Sequence, residues 1–331
     1  MGEAVPQSAP DKGAFFPLPL SPCIPTLAPS SINMTETRLF LAPQPPDGTK
    51  LEMDFLDSTF FKTPGQRLPT PAQVRALSTD ICTSAQPKPI IFRNPNIFVK
   101  FGRYVTVAEA QCLWMVQRAF QGTVPVPELF GWRVDDEGYV FIYIQLIEGQ
   151  TLLGRWDDLH SADKEVMCNQ LYEIIRSLRQ LSPKFGKYIG SINRQKVPDY
   201  VFQSLTEAGP FPNIKEFNDW FSSLPQSRLP ASLKYKDPYR DLLPDDGDIK
   251  FTHADLHRGN IMISSTAPFR VIAIVDWGQA GWYPDYWEYC KALYTCWYED
   301  EWRRDWIDKF LYPRLQEFEV FSEYTMAIGA V

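Results

Sequence analysis

The side chains best suited to chemistry lie in FTHADLHRGNIMI, Phe251 to Ile263, and in IVDWG, Ile274 to Gly278. His253 and His257 flank Asp255, and Asn260 closes the loop. A zinc site is one reading, but zinc wants three or four ligands, usually with a further His or Cys at a compatible spacing. The only other histidine, His160, stands in WDDLHS with no second ligand beside it. A polar turn whose histidine caps backbone groups is the plainest reading. Phosphoryl transfer is the third. It needs one carboxylate to orient the attacking hydroxyl and accept its proton, and a second carboxylate with a neutral amide to hold Mg²⁺ on nucleotide phosphates. Asp255 at the loop tip, Asn260 at its exit and Asp276 at the end of VIAIV meet those needs. Three polar ends leaving apolar strands are costly unless something charged sits between them, which favours the third reading.

These groups need elements to hold them. PIIFRNPNIFVKFG predicts two strands about Asn94-Pro95-Asn96, and VTVAEAQCLWMVQRAF has helical spacing. Two further strands in VPVPELFGWRVDDEGYVFIYIQLIEG join at Asp135 to Gly138. Upstream, Thr70 and Pro71 form a helix start. Beyond Gly149, Ser161 caps a helix whose Met167, Leu171, Ile174, Ile175 and Leu178 share one face. A loop-rich stretch from Tyr188 to Asp248 holds one helix around Ile214 to Phe221, short strands surround the opening motif, and the chain from Tyr286 onward is helical. The Pro- and Ser-rich start reads as a disordered tail or an arm laid on a neighbouring surface. The chain thus divides into an arm over 1–45, a β-rich lobe with one key helix over 46–148, and a larger helical lobe over 149–331. No glycine-rich turn precedes IFVK; the turn there is Arg93 to Asn96, and Pro95 brings no N–H.

Composition narrows the function classes. With 331 residues, 44% hydrophobic and 14% aromatic, the chain can bury a two-lobed core. Its net charge of −7 and scattered Lys and Arg argue against nucleic acid and against an anionic membrane surface. No apolar run reaches the ~18 residues a membrane span needs. Six cysteines show no CxxC pair and read as reduced thiols, which with the mild acidity fits a cytoplasmic protein. The acidic run Glu299-Asp300-Glu301 reads as a surface helix, either solvated or facing a substrate.

HADLHRGNIMI (253–263), IVDWGQAGWYPDYWEYCKA (274–292), IFVKFG (97–102), TVAEAQCL (106–113), VPVPELFGW (124–132) and IEGQTL (147–152) resemble the aminoglycoside phosphotransferase family, most closely a large fungal branch of kinase-like proteins. The likeness runs from about Leu68 to the C-terminus. It implies an α+β, bilobal protein-kinase-like fold with a nucleotide cleft between a small β-rich lobe and a larger helical one. It implies ATP and Mg²⁺ and, as acceptor, a hydroxyl-bearing small molecule. Carried over by position, Asp255 would be the base and His253 would brace its loop. Asn260 and Asp276 would hold Mg²⁺, Lys100 would meet the α- and β-phosphates, and Glu109 would pair with Lys100. The backbone of Gln145 to Ile147 would bind adenine. Read alone, Lys100 is a strand-end lysine and Glu109 a solvated helix glutamate. His257 and Arg258 would either steady the transferred phosphoryl group or lie solvated. The same scaffold also admits a repurposed or merely nucleotide- or metabolite-binding member, for example in natural-product biosynthesis. Nothing in the sequence fixes the oligomeric state.

Overall fold

The period of two in IFVKFG sorts its side chains onto opposite faces. Ile97, Val99 and Phe101 enter an apolar core, while Phe98 and Lys100 face a cleft. The computed structural model describes residues 40–330, apart from 204, 206 and 207. Up to residue 39, the expected arm lies outside the described residues.

The small lobe is built from β2 (Glu52–Asp54), α1 (Pro71–Leu77), β3 (Ile90–Phe92), β4 (Ile97–Gly102), α2 (Val107–Phe120), β5 (Leu129–Val134) and β6 (Val140–Gln145), preceded by β1 (Phe40–Leu41). Its strands form one antiparallel sheet in the order β2-β5-β6-β4-β3. One face packs on Phe60, Leu68 and on Val74 of α1, whose start is the expected Thr70 cap, with Gln73 closing a capping box. The other face packs on α2 through Trp132 and Ile142, with Leu113 and Val116 opposite.

The chain crosses to the second lobe at Leu146 to Gly149. A Cβ on Gly149 would lie 2.6 Å from both the Ile263 carbonyl oxygen and Ile272 Cδ1, so only glycine passes there. The larger lobe follows with β7 (Gln150–Thr151), α3 (Leu152–Arg155), α4 (Ser161–Leu178), β8 (Leu181–Ser182), α5 (Ile214–Ser223), β9 (Ile249–Thr252), β10 (Ile261–Ile263), β11 (Val271–Ile274), β12 (Gly281–Pro284), α6 (Trp287–Tyr294), α7 (Ile307–Phe310) and α8 (Leu315–Ile328), with a π-helical turn at Trp302–Trp306. The expected apolar face of α4 is buried, although the helix begins at Ser161 with His160 at the cap position and no side-chain capping bond.

The strands around the opening motif are not partners of each other. β9 pairs with β12, and β10 lies between β11 and β7. The loop between β9 and β10 therefore leaves one small sheet and enters another. β12, GWYP, is a strand that sequence periodicity does not announce, because its Gly and Pro are depleted from strands. No helix among the described residues is long and apolar enough to cross a membrane, and the five described cysteines are free thiols.

Candidate active site

The loop between β9 and β10 is shaped from beneath. His253 is fully buried, and both its ring nitrogens are occupied. Nδ1 accepts the Asp255 N–H at 3.2 Å, so the proton sits on Nε2, which donates to the Val275 carbonyl at 3.0 Å. Burial pulls its pKa down to about 4, and the ring is neutral at ordinary pH. Trp277 packs edge-on to the imidazole at 4.6 Å and donates to the Ile274 carbonyl. Metal binding by the HxDxH pattern is thereby ruled out for His253, and no group of three or more His, Cys, Asp or Glu side chains among the described residues is arranged to hold an ion.

Asn260 ties the loop to itself. Its Nδ2 donates to the Asp255 carbonyl at 2.9 Å and to Asp255 Oδ2 at 3.0 Å, while its own carbonyl accepts from Val275 N–H. The amide Oδ1 has no protein donor among the described residues. One residue beyond Val275, Asp276 adopts a left-handed conformation at φ 63°, as does Ala254. That region costs a non-glycine residue roughly 1–2 kcal/mol and turns a side chain out of its strand.

Asp276 thereby meets the small lobe. Lys100 Nζ lies 2.7 Å from Asp276 Oδ1 and 2.7 Å from Glu109 Oε1. Glu109 is held in the first turn of α2, so strand and helix set the pair's geometry. Burial pulls the Lys100 pKa down, but the two carboxylates outweigh it and raise it. At Glu109 burial wins and the carboxyl is raised, whereas at Asp276 Lys100 outweighs burial and the carboxyl is lowered. A Cβ on Gly278 would stand 3.2 Å from Glu109 Oε2 and 3.5 Å from Asp276 Oδ1, so glycine keeps this junction clear. Asp255 itself is pushed up to about 6, chiefly by burial, with Lys291 opposing.

A cleft of about 1180 Å³ lies between the lobes, lined by Phe98, Lys100, Glu109, Ile142, Gln145 to Gly149, Asn260, Met262 and Asp276. Leu146 N–H donates to the Asn96 carbonyl and Gln145 N–H to the Glu128 carbonyl. Ile147 N–H, one residue on, has no protein acceptor among the described residues. The sheet register places the turn before IFVK. Phe92 pairs with Ile97 and Ile90 with Val99, so the Arg93–Asn96 turn sits at the crossover, beside Leu146, rather than over the Lys100 end. The segment reaching that end is Ala85-Gln86-Pro87-Lys88-Pro89, and Pro87 Cδ lies 2.8 Å from where a Gly102 Cβ would be.

His257 and Arg258 part company. His257 Nδ1 accepts the Gly259 N–H at 3.0 Å, capping the short 3₁₀ turn, and its Nε2 is 3.9 Å from Asp255 Oδ2, beyond hydrogen-bond reach. Arg258 turns away to Asp300 and lies over the Trp156 and Trp302 rings. Two of the three residues of the acidic run are therefore tied to protein partners while still partly exposed. Asp300 holds Arg258, and Glu301 accepts from Lys164, Trp156 and Trp306. Only Glu299 is exposed.

Sequence reasoning expected a helix after Tyr286 but overlooked the buried charges of α6. Buried Glu288 accepts the His253 N–H at 2.7 Å through Oε2 and the Ala254 N–H at 3.1 Å through Oε1. One turn on, buried Lys291 donates to Asp199 Oδ1 at 2.8 Å and to Gln279 Oε1 at 3.2 Å, and Trp287 Nε1 donates to Asp199 Oδ2. The available signal was two charges in the otherwise apolar run WEYCKALY, since fully buried charges are rare unless paired.

A family model described as "Phosphotransferase enzyme family" matches residues 103–321. No curated protein matches the chain. Among solved structures, the aminoglycoside-3'-phosphotransferase of type VIII is 14% identical, covering 70% of this chain and 84% of that one, with a TM-score of 0.44. The aminoglycoside phosphotransferase APH(3'')-Id from Streptomyces rimosus is 15% identical over 73% of this chain and 92% of its own, at 0.44. The GDP complex of aminoglycoside 2'-phosphotransferase-IIIa is 16% identical over 81% and 84%, at 0.45.

Proposed function

The chain belongs to the phosphotransferase enzyme family and has its two-lobed, protein-kinase-like α+β fold, and from that premise we propose that it moves the γ-phosphoryl group of ATP to a hydroxyl of a small molecule. The observation that carries this is Lys100, whose Nζ stands 2.7 Å from carboxylates of both lobes, Glu109 and Asp276, beside the Asp255–Asn260 loop. Asp255 is the base: it orients the acceptor hydroxyl and takes its proton at Oδ1 or Oδ2. His253 holds the loop through two backbone bonds and stays neutral. Lys100 meets the α- and β-phosphates once a nucleotide competes with Asp276 for it, and Glu109 keeps its ammonium in place. The backbone of Gln145 to Ile147 reads the adenine edge, with the unpaired Ile147 N–H as donor.

The donor set suits Mg²⁺: one carboxylate, Asp276, and one amide oxygen free of protein donors, Asn260 Oδ1, both hard ligands that leave room for phosphate oxygens and water. Bound there with the nucleotide, Mg²⁺ would neutralise phosphate charge.

Mg·ATP turnover over a panel of amino sugars, choline, amino alcohols and fungal metabolites tests the reading. Asp255→Asn is expected to lose about 10²–10⁴-fold in kcat, and Asp276→Ala to lose turnover and Mg·ATP affinity together. Residual turnover equal to wild type in both variants would sink it. A repurposed, nucleotide-binding member is the second reading, favoured by the proline-rich segment 85–89 where a glycine-rich turn is expected. Tight Mg·ATP binding with no acceptor phosphorylated across that panel would select it.

A further inference from the structure

The cover over the Lys100 end of the cleft has little to offer a phosphate. Pro87 and Pro89 have no N–H. The Lys88 N–H is directed to Asp80, at 3.1 Å to Oδ2, and the Gln86 N–H to Ser84 Oγ at 3.2 Å. Of this segment's five backbone donors in an ordinary sequence, only that of Ala85 remains. An oxygen-rich ligand needs donors from elsewhere, and the opposite lobe has one. Tyr200 lines the same cleft with its ring half-buried. Its hydroxyl lies 3.5 Å from the point where a Gly278 Cβ would stand, the same distance as Asp276 Oδ1 from that point. The charges that bear on it are Lys100, Asp276, Glu109 and Asp255, the four groups on which the phosphotransferase reading rests. The hydroxyl makes no hydrogen bond among the described residues, and burial pushes the phenol up to about 12, so it keeps its proton as a donor.

The backbone behind the ring is held on both sides. Tyr200 N–H donates to Gln279 Oε1 at 3.0 Å, and Asp199 accepts from Val201 N–H, Trp287 and Lys291. The Lys291–Asp199 pair is almost fully buried. Two buried charges persist only when paired, and here that pairing fixes the residue next to the phenol. We propose that Tyr200 donates its hydroxyl hydrogen bond to the terminal phosphate of the bound nucleotide, replacing from the large lobe the donors that segment 85–89 lacks. The inference rests on the phosphotransferase reading and deepens it.

Calorimetric titration of wild-type protein and Tyr200→Phe with Mg·AMP-PNP and with Mg·ADP separates the two. Phenylalanine keeps the ring and removes only the hydroxyl. A hydrogen bond to a charged group is expected to make AMP-PNP binding about tenfold weaker in Tyr200→Phe, with ADP binding unchanged within about twofold. Tyr200→His, which restores a donor, is expected to recover part of the AMP-PNP affinity. Equal losses for both nucleotides, or no loss in Tyr200→Phe, would overturn the role of Tyr200 while leaving the phosphotransferase reading intact. Wild-type protein binding neither nucleotide would overturn both.

Discussion

His253 has no room for a second proton. One ring nitrogen accepts a backbone N–H and the other donates to a backbone carbonyl, so ionisation would break the first bond. Its folded pKa of about 4 lies below the ordinary 6.5, so as pH falls the unfolded chain takes up the proton first. The stability this group contributes is complete above about pH 6.5 and is lost as pH falls towards 4, by about 3 kcal/mol in all. Buried Asp255, whose folded pKa is raised, acts in the opposite sense, so the two must be separated by substitution. Between pH 7 and pH 5, the fall in unfolding free energy by urea titration is expected to be about 2 kcal/mol smaller in His253→Gln than in wild type. On the proposed chemistry Asp255 works ionised. Its position near 6 then puts an acidic limb on kcat/KM, falling about tenfold per pH unit below about pH 6 and absent from a rate measured with Asp255→Asn.

At the scale of elements, α6 acts as a bracket for the loop between β9 and β10. Glu288 is fully buried and its two oxygens satisfy the two N–H groups at the bend, one of them on the left-handed Ala254. Truncation leaves both donors orphaned in the interior at roughly 1–3 kcal/mol each. Glu288→Ala is therefore expected to lose about 2–4 kcal/mol of unfolding free energy by urea titration, with Glu288→Gln losing less because its Oε1 still accepts one N–H. This bracket marks where sequence reading stops. β4, β5 and β6 follow from β-rich runs between turn signals and α2 from helical spacing, while Asp255, Asn260 and Asp276 stand out as polar groups in the loops next to short apolar strands. Lys100, Glu109, Asn260 and Asp276 line one cleft, with Asp255 bonded to Asn260 beside it; their roles are the proposal above. Asp199 and Tyr200 are invisible to local patterns, and for Glu288 the run WEYCKALY shows a charge out of place but not its partner, His253, 35 residues away. β12 hides behind its Gly and Pro, and Arg258 found Asp300 through an aromatic stack that no spacing encodes.

Across the whole molecule, the lobes are joined at more than the Lys100–Asp276 pair. Besides the Leu146–Gly149 crossover, residues 40–46 run as a strap. Phe40 and Ala42 N–H groups donate to the Gln180 and Ser182 carbonyls of the large lobe. The Phe40 ring meets Phe120 of α2 at 5.3 Å, and Gln111 of α2 donates to the Pro46 carbonyl while accepting from Asn193. Gln111 thus fastens strap, helix and large lobe with one side chain. Gln111→Ala is expected to speed amide hydrogen exchange at Ala42 and to lower unfolding free energy by about 1–3 kcal/mol. Unchanged exchange there would show that the strap is held by its β1–β8 pairing alone. The strap thus holds α2, which carries Glu109, at Gln111 in its first half and at Phe120, its last residue.

The shared Lys100 has a consequence for the order in which partners arrive. Where the lobes meet, one ammonium, Lys100, is set against two carboxylates, Glu109 and Asp276, while Lys88 and Arg93 line the cleft elsewhere. Such a surplus repels a polyanion that comes alone and welcomes one that brings its own cations, because like charges in a low-dielectric cleft cost several kcal/mol. On the proposed reading, the site is an electrostatic filter for the metal-complexed nucleotide. Chelating divalent ions would then weaken ATP binding far more than adenosine binding, and Asp276→Asn would narrow that gap.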